Sequence, residues 1–218
     1  MHNPWLDIPL ADYEAHMALP EIGQARLLSD IFADALRTHV PESVAVIGCA
    51  GGNGFERIAP EITTRVIGVD LNPDYLRQTR QRFDGKFQSL ELIQADVEHD
   101  APPVTPVRLV FAALVLEYVN PEKALLRLRA MLAGNGVLVT VLQLPSPHMP
   151  AVSPSPFVTL RALDAVLHHI EPARLRDVCA RHGLGEFGSS LHTTDNGKQF
   201  QQQWFRVYQP PVDNSTGG

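Results

Sequence analysis

The stretch Val44–Glu56, VAVIGCAGGNGFE, constrains this chain more than any other. A short apolar run reads as a buried strand, and a glycine-rich turn and the start of a helix follow it. Glycine has no Cβ and adopts backbone conformations closed to other residues, so a ligand can approach such a turn closely. The first turn of a helix offers free N–H groups and partial positive charge. A strand–turn–helix unit of this kind holds nucleotide-like ligands at the carboxyl end of the strand.

The rest of the chain repeats the alternation. Strands are expected at Arg65–Asp70, Leu90–Ala95, Val107–Ala113 and Val137–Gln143. Strands 1, 4 and 5 are runs rich in Val, Leu and Ala rather than clean alternations, which marks strands covered on both faces. Between them lie helices that open on Asn72-Pro73 and Asn120-Pro121, where Asn caps and Pro fills the first helical position. Gly85 and Gly134 are expected to end those helices. A longer helix is expected from Pro20 to about Thr38, after a short one at Leu10–Ala18. Pro60 limits the helix behind the glycines.

Past strand 5, five prolines between Gln143 and Phe157 make a long loop. Helical stretches follow at about Thr159–Ile170 and Pro172–His182. Asp195-Asn196-Gly197-Lys198 then separates two strand-like runs, a hairpin signal. Alternating strands and helices imply an α/β fold with right-handed crossovers.

Spacing narrows the ligand. A phosphate-binding loop needs Lys and Ser/Thr after its last Gly, and here Phe55 and Glu56 follow Gly54. A dinucleotide turn needs G-x-G-x-x-G. Counting from Gly48 gives Gly48, Ala50 and Asn53, and counting from Gly52 gives Gly52, Gly54 and Arg57. Neither suits a pyrophosphate.

What remains is G-x-A-x-G, at Gly48, Ala50 and Gly52. It resembles the first motif, usually G-x-G-x-G, of the class I S-adenosylmethionine-dependent methyltransferases. Asp70 ends strand 2, 22 residues after Gly48, with Leu71 and Asn72 behind it. Asp96 follows strand 3 in Ala95-Asp96-Val97, and strand 4 runs out into Ala112–Glu117. The terminal hairpin is similar to the family's antiparallel sixth and seventh strands.

The resemblance implies an α/β, Rossmann-like seven-stranded mostly parallel sheet, with helices on both faces and an antiparallel C-terminal hairpin. Residues 41–208 would form the methyltransferase domain, and 209–218 a disordered tail. Residues 1–40 would carry helices that close over the pocket as a lid or simply pack on the domain. The cofactor implied is S-adenosylmethionine. The turn Gly48, Cys49, Ala50, Gly52 and Asn53 would lie under its amino-acid part. Asp70 would accept from both ribose hydroxyls, and Leu71 would pack on the adenine. Ala95, Asp96 and Val97 would surround the adenine amino group, and Ala113 and Leu114 would face the methionine end. Two positions depart from the family's habit: Val46 and Arg108 stand where an acidic residue is common.

Direct methyl transfer to a small molecule is the reaction implied, with a general base wherever the acceptor must lose a proton. Glu117 is the first candidate, ahead of Tyr118, Tyr13 and His16; His148 lies on a further segment able to cover the pocket. Cys49 reads as a small buried filler rather than a nucleophile. The nine histidines show no H-E-x-x-H and no tight cluster with cysteine, so no metal is expected. The formal net charge of −6 argues against a nucleic-acid partner. Two cysteines suit a reducing cytosol, no apolar run is long enough to span a bilayer, and the first residues do not read as a secretion signal. The expected form is a cytoplasmic monomer or homodimer. A non-catalytic scaffold and an NAD(P)-dependent oxidoreductase are the competing readings, the latter disfavoured by the glycine spacing.

Overall fold

The computed structural model describes residues 2–208, so the expected tail at 209–218 lies outside the described residues. Seven strands form one sheet: β1 Ser43–Ile47, β2 Arg65–Asp70, β3 Ser89–Gln94, β4 Val107–Ala113, β5 Leu132–Gln143, β6 Leu184–Thr193 and β7 Gln199–Val207. Their order is β3-β2-β1-β4-β5-β7-β6. The first five run parallel, and β7 lies antiparallel between β5 and β6. The Rossmann-like fold expected from the sequence is therefore present, with its hairpin.

The helices are α1 Leu10–Ala18, α2 Gln24–His39, α3 Pro73–Phe83, α4 Pro121–Ala130 and α5 Pro172–Arg181. Every residue of β1 is buried, and its side chains divide by parity. Val44 and Val46 pack with Ile31 and Phe32 of α2 and with Leu76 and Phe83 of α3. Ala45 and Ile47 pack with Leu125 and Leu128 of α4 and with Leu175 and Val178 of α5. Each fully buried aliphatic side chain contributes roughly 1.5–3 kcal/mol, so this double cover fixes the sheet between its two helix layers.

Asn72 and Asn120 cap their helices as expected. Asn72 Oδ1 accepts from the Asp74 N–H, and Asn120 Oδ1 accepts from those of Glu122 and Lys123. Among the described residues no helix is long and apolar enough to cross a membrane.

Several boundaries differ from expectation. α2 begins at Gln24, not Pro20, because Gly23 at φ 66° interrupts the backbone and Ile22 and Gly23 turn back onto the Leu19 carbonyl. No α-helix follows the glycine turn; Phe55–Arg57 is a single 3-10 turn, since Gly52 and Gly54 keep positive φ and Ile58 is already extended. The helix-dipole argument therefore does not apply there. α4 ends at Ala130 rather than Gly134, and β5 starts at Leu132. The β4–β5 register jumps from Val107↔Leu132 to Leu109↔Val137, and this irregularity takes up Gly134 and Gly136. A Cβ on Gly136 would lie 2.9 Å from the Val107 carbonyl. The helical stretch expected at about 159–170 is a 3-10 segment, Val158–Ala165. Its three-residue repeat puts Leu160 and Leu163 on one side, where both pack with Ile8.

Candidate active site

Strand order reverses between β1 and β4, because the chain leaves β1 for β2 on one side and later returns to β4 on the other. Open α/β sheets form their ligand crevice at the carboxyl ends of the strands flanking such a switch. The glycine turn lies there. Gly48, Ala50, Gly52 and Gly54 all have positive φ, and so does Leu114 at the end of β4. A Cβ on Gly48 would sit 2.6 Å from Val115 Cγ2, which closes that position to any larger residue.

Ala50 occupies the left-handed region at φ 47°, where an L-residue is strained. Its backbone is held on both sides. The Ala50 N–H donates to Asp70 Oδ2 at 2.8 Å, and the Thr79 hydroxyl donates to the Ala50 carbonyl at 2.8 Å. Asp70 Oδ1 accepts from the Asn72 N–H at 2.9 Å. Asp70 is thus the clasp of the turn and is buried, not solvated as a plain strand-end residue would be. Burial pushes its pKa up to about 6, against the backbone donors that lower it. Each oxygen spends one lone pair on the backbone and keeps capacity for a second donor.

One cavity opens above this clasp. Gly48, Ala50, Asp70, Leu71, Ala95, Asp96, Val97, Ala113 and Leu114 all line it. Of the residues expected around a cofactor, Cys49, Gly52 and Asn53 do not. Cys49 and Asn53 line an adjoining hollow with Phe32 and Phe111, which shares Tyr13, Ile47, Gly48, Ala50 and Ala113 with the first cavity. A Cβ on Gly52 would meet Phe83 at 2.7 Å, so this residue serves packing. Burial raises the Cys49 thiol well above its ordinary value, as for an inert filler. Asp96 accepts from the Glu98 N–H at 2.8 Å and lies 3.0 Å from His99 Nδ1, which orients its carboxylate at the rim.

A second cavity adjoins the first. Trp5, Tyr13, Leu114 and Tyr118 line both, and the rings of Tyr13 and Tyr118 each meet Trp5 edge-on, at 5.6 and 5.1 Å between centroids. Glu117 and His16 line only the second cavity. Glu117 is 1 % exposed; Oε1 accepts from the Gln143 N–H at 2.8 Å, and Oε2 has no partner among the described residues. Burial raises this carboxyl to about 7. His16 Nδ1 lies 2.8 Å from the Ser155 hydroxyl, and burial, then the Lys198 charge, lowers its pKa. Burial pushes the Tyr13 and Tyr118 phenols far up, which ill suits either to act as a base. His148 is exposed and lines neither cavity.

The N-terminal segment forms the outer wall of the first cavity through Asn3, Trp5 and Tyr13. It is fastened to α3 at three points. Asn72 Nδ2 donates to the Trp5 carbonyl at 2.9 Å, the Tyr75 hydroxyl donates to the Ile8 carbonyl at 2.8 Å, and Arg82 pairs both guanidinium ends with Glu14 at 2.5 and 2.9 Å. Arg82 therefore ties α3 to the N-terminal segment.

Sequence reasoning missed Trp5, Tyr75, Gln143 and Lys198 as site residues. Tyr75 sits on the inner face of a correctly placed helix, and helical phase alone was a usable signal. Lys198 follows an Asn-Gly turn and reads as exposed, yet it is 2 % exposed in the second cavity.

Residues 44–136 match the family model described as a methyltransferase domain. A trans-aconitate 2-methyltransferase of Rhodopseudomonas palustris (strain BisB18) is 37 % identical over 134 residues, covering 59 % of this chain and 49 % of the relative. The chain spans about half the length of the curated relatives it matches. Among solved structures, the [4+2]-cyclase SpnF superposes with a TM-score of 0.65 at 12 % identity, over 84 % of this chain and 81 % of that one. Geranyl diphosphate C-methyltransferase from Streptomyces coelicolor A3(2), in complex with Mg2+, geranyl diphosphate and S-adenosyl-L-homocysteine, gives 0.64 at 14 % identity, over 82 % and 77 %. The strand order with its terminal hairpin, the crevice at the strand ends and the match over residues 44–136 agree: over that stretch the chain is similar to a methyltransferase domain, and its fold is that of the S-adenosylmethionine-dependent methyltransferases.

Proposed function

We propose that this protein transfers a methyl group from S-adenosylmethionine to a small-molecule acceptor by direct displacement. One observation carries the reading: nine residues expected from four separate strand ends line a single cavity, with the Asp70 carboxylate among them. Fold alone would not select the chemistry, since a [4+2]-cyclase shares it. The methyltransferase relatives and the matched domain add the weight that selects it.

The residues present suit the cofactor. Asp70 retains acceptor capacity for ribose hydroxyls, and Leu71, Val97 and Ala95 offer an apolar bed for adenine beside Asp96. A Cβ at Gly48 would collide with Val115, so the turn presents bare backbone at that position. When bound, the sulfonium supplies an electrophilic methyl group. The chain's own part is orientation, which is worth roughly 7–11 kcal/mol when two reactants are held in line. Glu117 Oε2 is the atom to take an acceptor's proton: it is unpartnered, and a carboxyl near 7 is matched to a neutral operating pH. Residues 2–18 serve as the lid, latched by Arg82 and Glu14. The acidic balance favours a small acceptor over nucleic acid.

Thermal shift with S-adenosylmethionine, S-adenosylhomocysteine and NAD tests this reading. Stabilisation by the first two and not by NAD is expected. A response to NAD alone overturns the reading in favour of an oxidoreductase, and silence to all three favours a scaffold.

A further inference from the structure

Resting on that reading, we propose that the second cavity takes an amphipathic acceptor with one anionic end held by Lys198 and a hydroxyl or amine presented to Glu117. The layout follows the sheet. The first cavity spans the ends of β3, β2, β1 and β4, while the second continues past β4 to β5 and β7. Glu117 follows β4 beside the wall shared by both cavities. Lys198 precedes β7, two strands away, where antiparallel pairing brings the start of β7 beside Gln143 at the end of β5. Gln143 separates the two charges. Its N–H donates to Glu117, and its side-chain oxygen accepts from Lys198 at 3.4 Å.

Lys198 is a buried ammonium with three donors. Its partners are the Ala151 carbonyl at 2.7 Å and the Gln143 amide oxygen, both neutral. A buried cation without a carboxylate partner is costly and calls for an anion. Its pKa falls to about 8 through burial, with Asp164 opposing, so it remains charged at neutral pH. At the other end, Glu117 Oε2 is buried and unpartnered. Met17, Leu160, Leu163 and Leu167 complete an apolar wall.

This charge count disfavours the substrate named in the relatives. Trans-aconitate carries three carboxylates. The second cavity offers one ammonium, an imidazole held neutral by its lowered pKa, and a carboxyl. Two carboxylates would be buried without a cation to offset their desolvation.

Calorimetric titration of the full chain, with and without saturating S-adenosylhomocysteine, tests the assignment. The probes are 4-hydroxybenzoate, its methyl ester and trans-aconitate. We expect 4-hydroxybenzoate to bind at least tenfold tighter than either of the others. Lys198→Met should erase the preference over the ester while leaving S-adenosylhomocysteine affinity within about twofold. Should that variant fail to fold, the wild-type preference must still decline as pH rises through about 8, where Lys198 loses its proton. His16, His169, Asp164 and Glu117 are the other ionisable groups around it; Glu117, raised to about 7, loses its proton before Lys198 does, so the decline is read above pH 7. Tighter binding of trans-aconitate, absence of 4-hydroxybenzoate binding, or a preference that neither Lys198→Met nor high pH removes each overturns the assignment. Failure of S-adenosylhomocysteine to bind the wild type overturns only the methyl-transfer reading, because the probe preference is also read without it.

Discussion

The two cavities meet at Trp5, Tyr13, Leu114 and Tyr118, yet they are built by different means. The first is made largely of backbone turns and small residues at four strand ends, tied by Asp70 to the Ala50 and Asn72 amides. The second is made of long side chains from α1, the loop after β4, the proline-rich loop and the hairpin turn. Glu117, Gln143 and Lys198 are far apart in sequence and are joined by hydrogen bonds across the sheet end. A pocket of turns admits one class of ligand and resists change, whereas a pocket of side chains is redefined by single substitutions. On the proposed reading, the turn-built cavity holds the cofactor and a few side chains of the second set the acceptor.

The sharpest way to break that contrast is Glu117→Gln. If Glu117 is the base of the second cavity, kcat should fall about 10²–10⁴-fold, with cofactor affinity unchanged. Affinity lost in parallel would show the two cavities to be one energetic unit. The same variant has a stability signature. A carboxyl held at about 7 when folded and 4.5 when unfolded stays protonated while the unfolded chain ionises. Its contribution is fully present below pH 4.5 and is lost as pH rises to about 7, by roughly 3 kcal/mol. Denaturant titrations should show that slope flattened in Glu117→Gln between those two values.

Asp70→Asn probes the other side. One carbonyl oxygen survives to hold a backbone amide, so the turn should fold, but the charge-assisted bonds to a ligand are gone. Loss of such bonds costs about 1.5–3 kcal/mol, or roughly tenfold to a hundredfold in affinity for S-adenosylhomocysteine by calorimetry. Acceptor-side binding of 4-hydroxybenzoate should not move. Full retention of cofactor affinity would remove Asp70 from ligand binding and leave it only as the clasp.

The contrast also explains what the sequence reveals. Asp70, Asp96 and the glycine turn were legible because each lies at a strand end, and strand ends follow from local hydrophobic runs and capping residues. The main misreading on this side came from the same source. Phe55 and Glu56 look helix-compatible, but positive φ at Gly52 and Gly54 allows only a 3-10 turn before Ile58 extends. On the acceptor side Glu117 was legible, since it follows β4 directly. Lys198 was not: its burial depends on the proline-rich loop folding over it, with the Ala151 carbonyl as its partner. Nothing local to an Asn-Gly-Lys turn encodes a contact 47 residues away in sequence. The helical stretch at Val158–Ala165 was legible but its 3-10 form was not, since the three-residue repeat serves packing of Leu160 and Leu163 on the distant Ile8.

The segment bridging the two cavities should respond more weakly. Glu14 and Arg82 form a paired bridge at 27 % and 40 % side-chain exposure, a setting in which an ion pair contributes under about 1 kcal/mol. Glu14→Gln should lower Tm by only a few degrees. The more sensitive measurement is limited proteolysis of the first eighteen residues. Cleavage should speed up in the variant and slow again with S-adenosylhomocysteine. If the ligand gives no protection, residues 2–18 are a fixed wall and not a lid.

The smallest effect belongs to Ala50→Gly, which restores the residue most common in the family at a left-handed position. Relief of an L-residue at positive φ is worth roughly 1–2 kcal/mol. Two terms oppose it. Glycine adds backbone entropy to the unfolded chain, about 0.5–1 kcal/mol, and the lost methyl group, packed with Leu10 and Tyr75, gives up about 0.8 kcal/mol. The terms nearly cancel, so Tm should stay within about 3 °C of the parent and ligand-induced stabilisation should be unchanged. A rise well beyond that would mean that strain at Ala50 dominates and that the turn is less rigid a scaffold than its hydrogen bonds imply. A marked fall would mean that the methyl contact with α1 stabilises the closed N-terminal segment, which would couple the turn to the side-chain-built half.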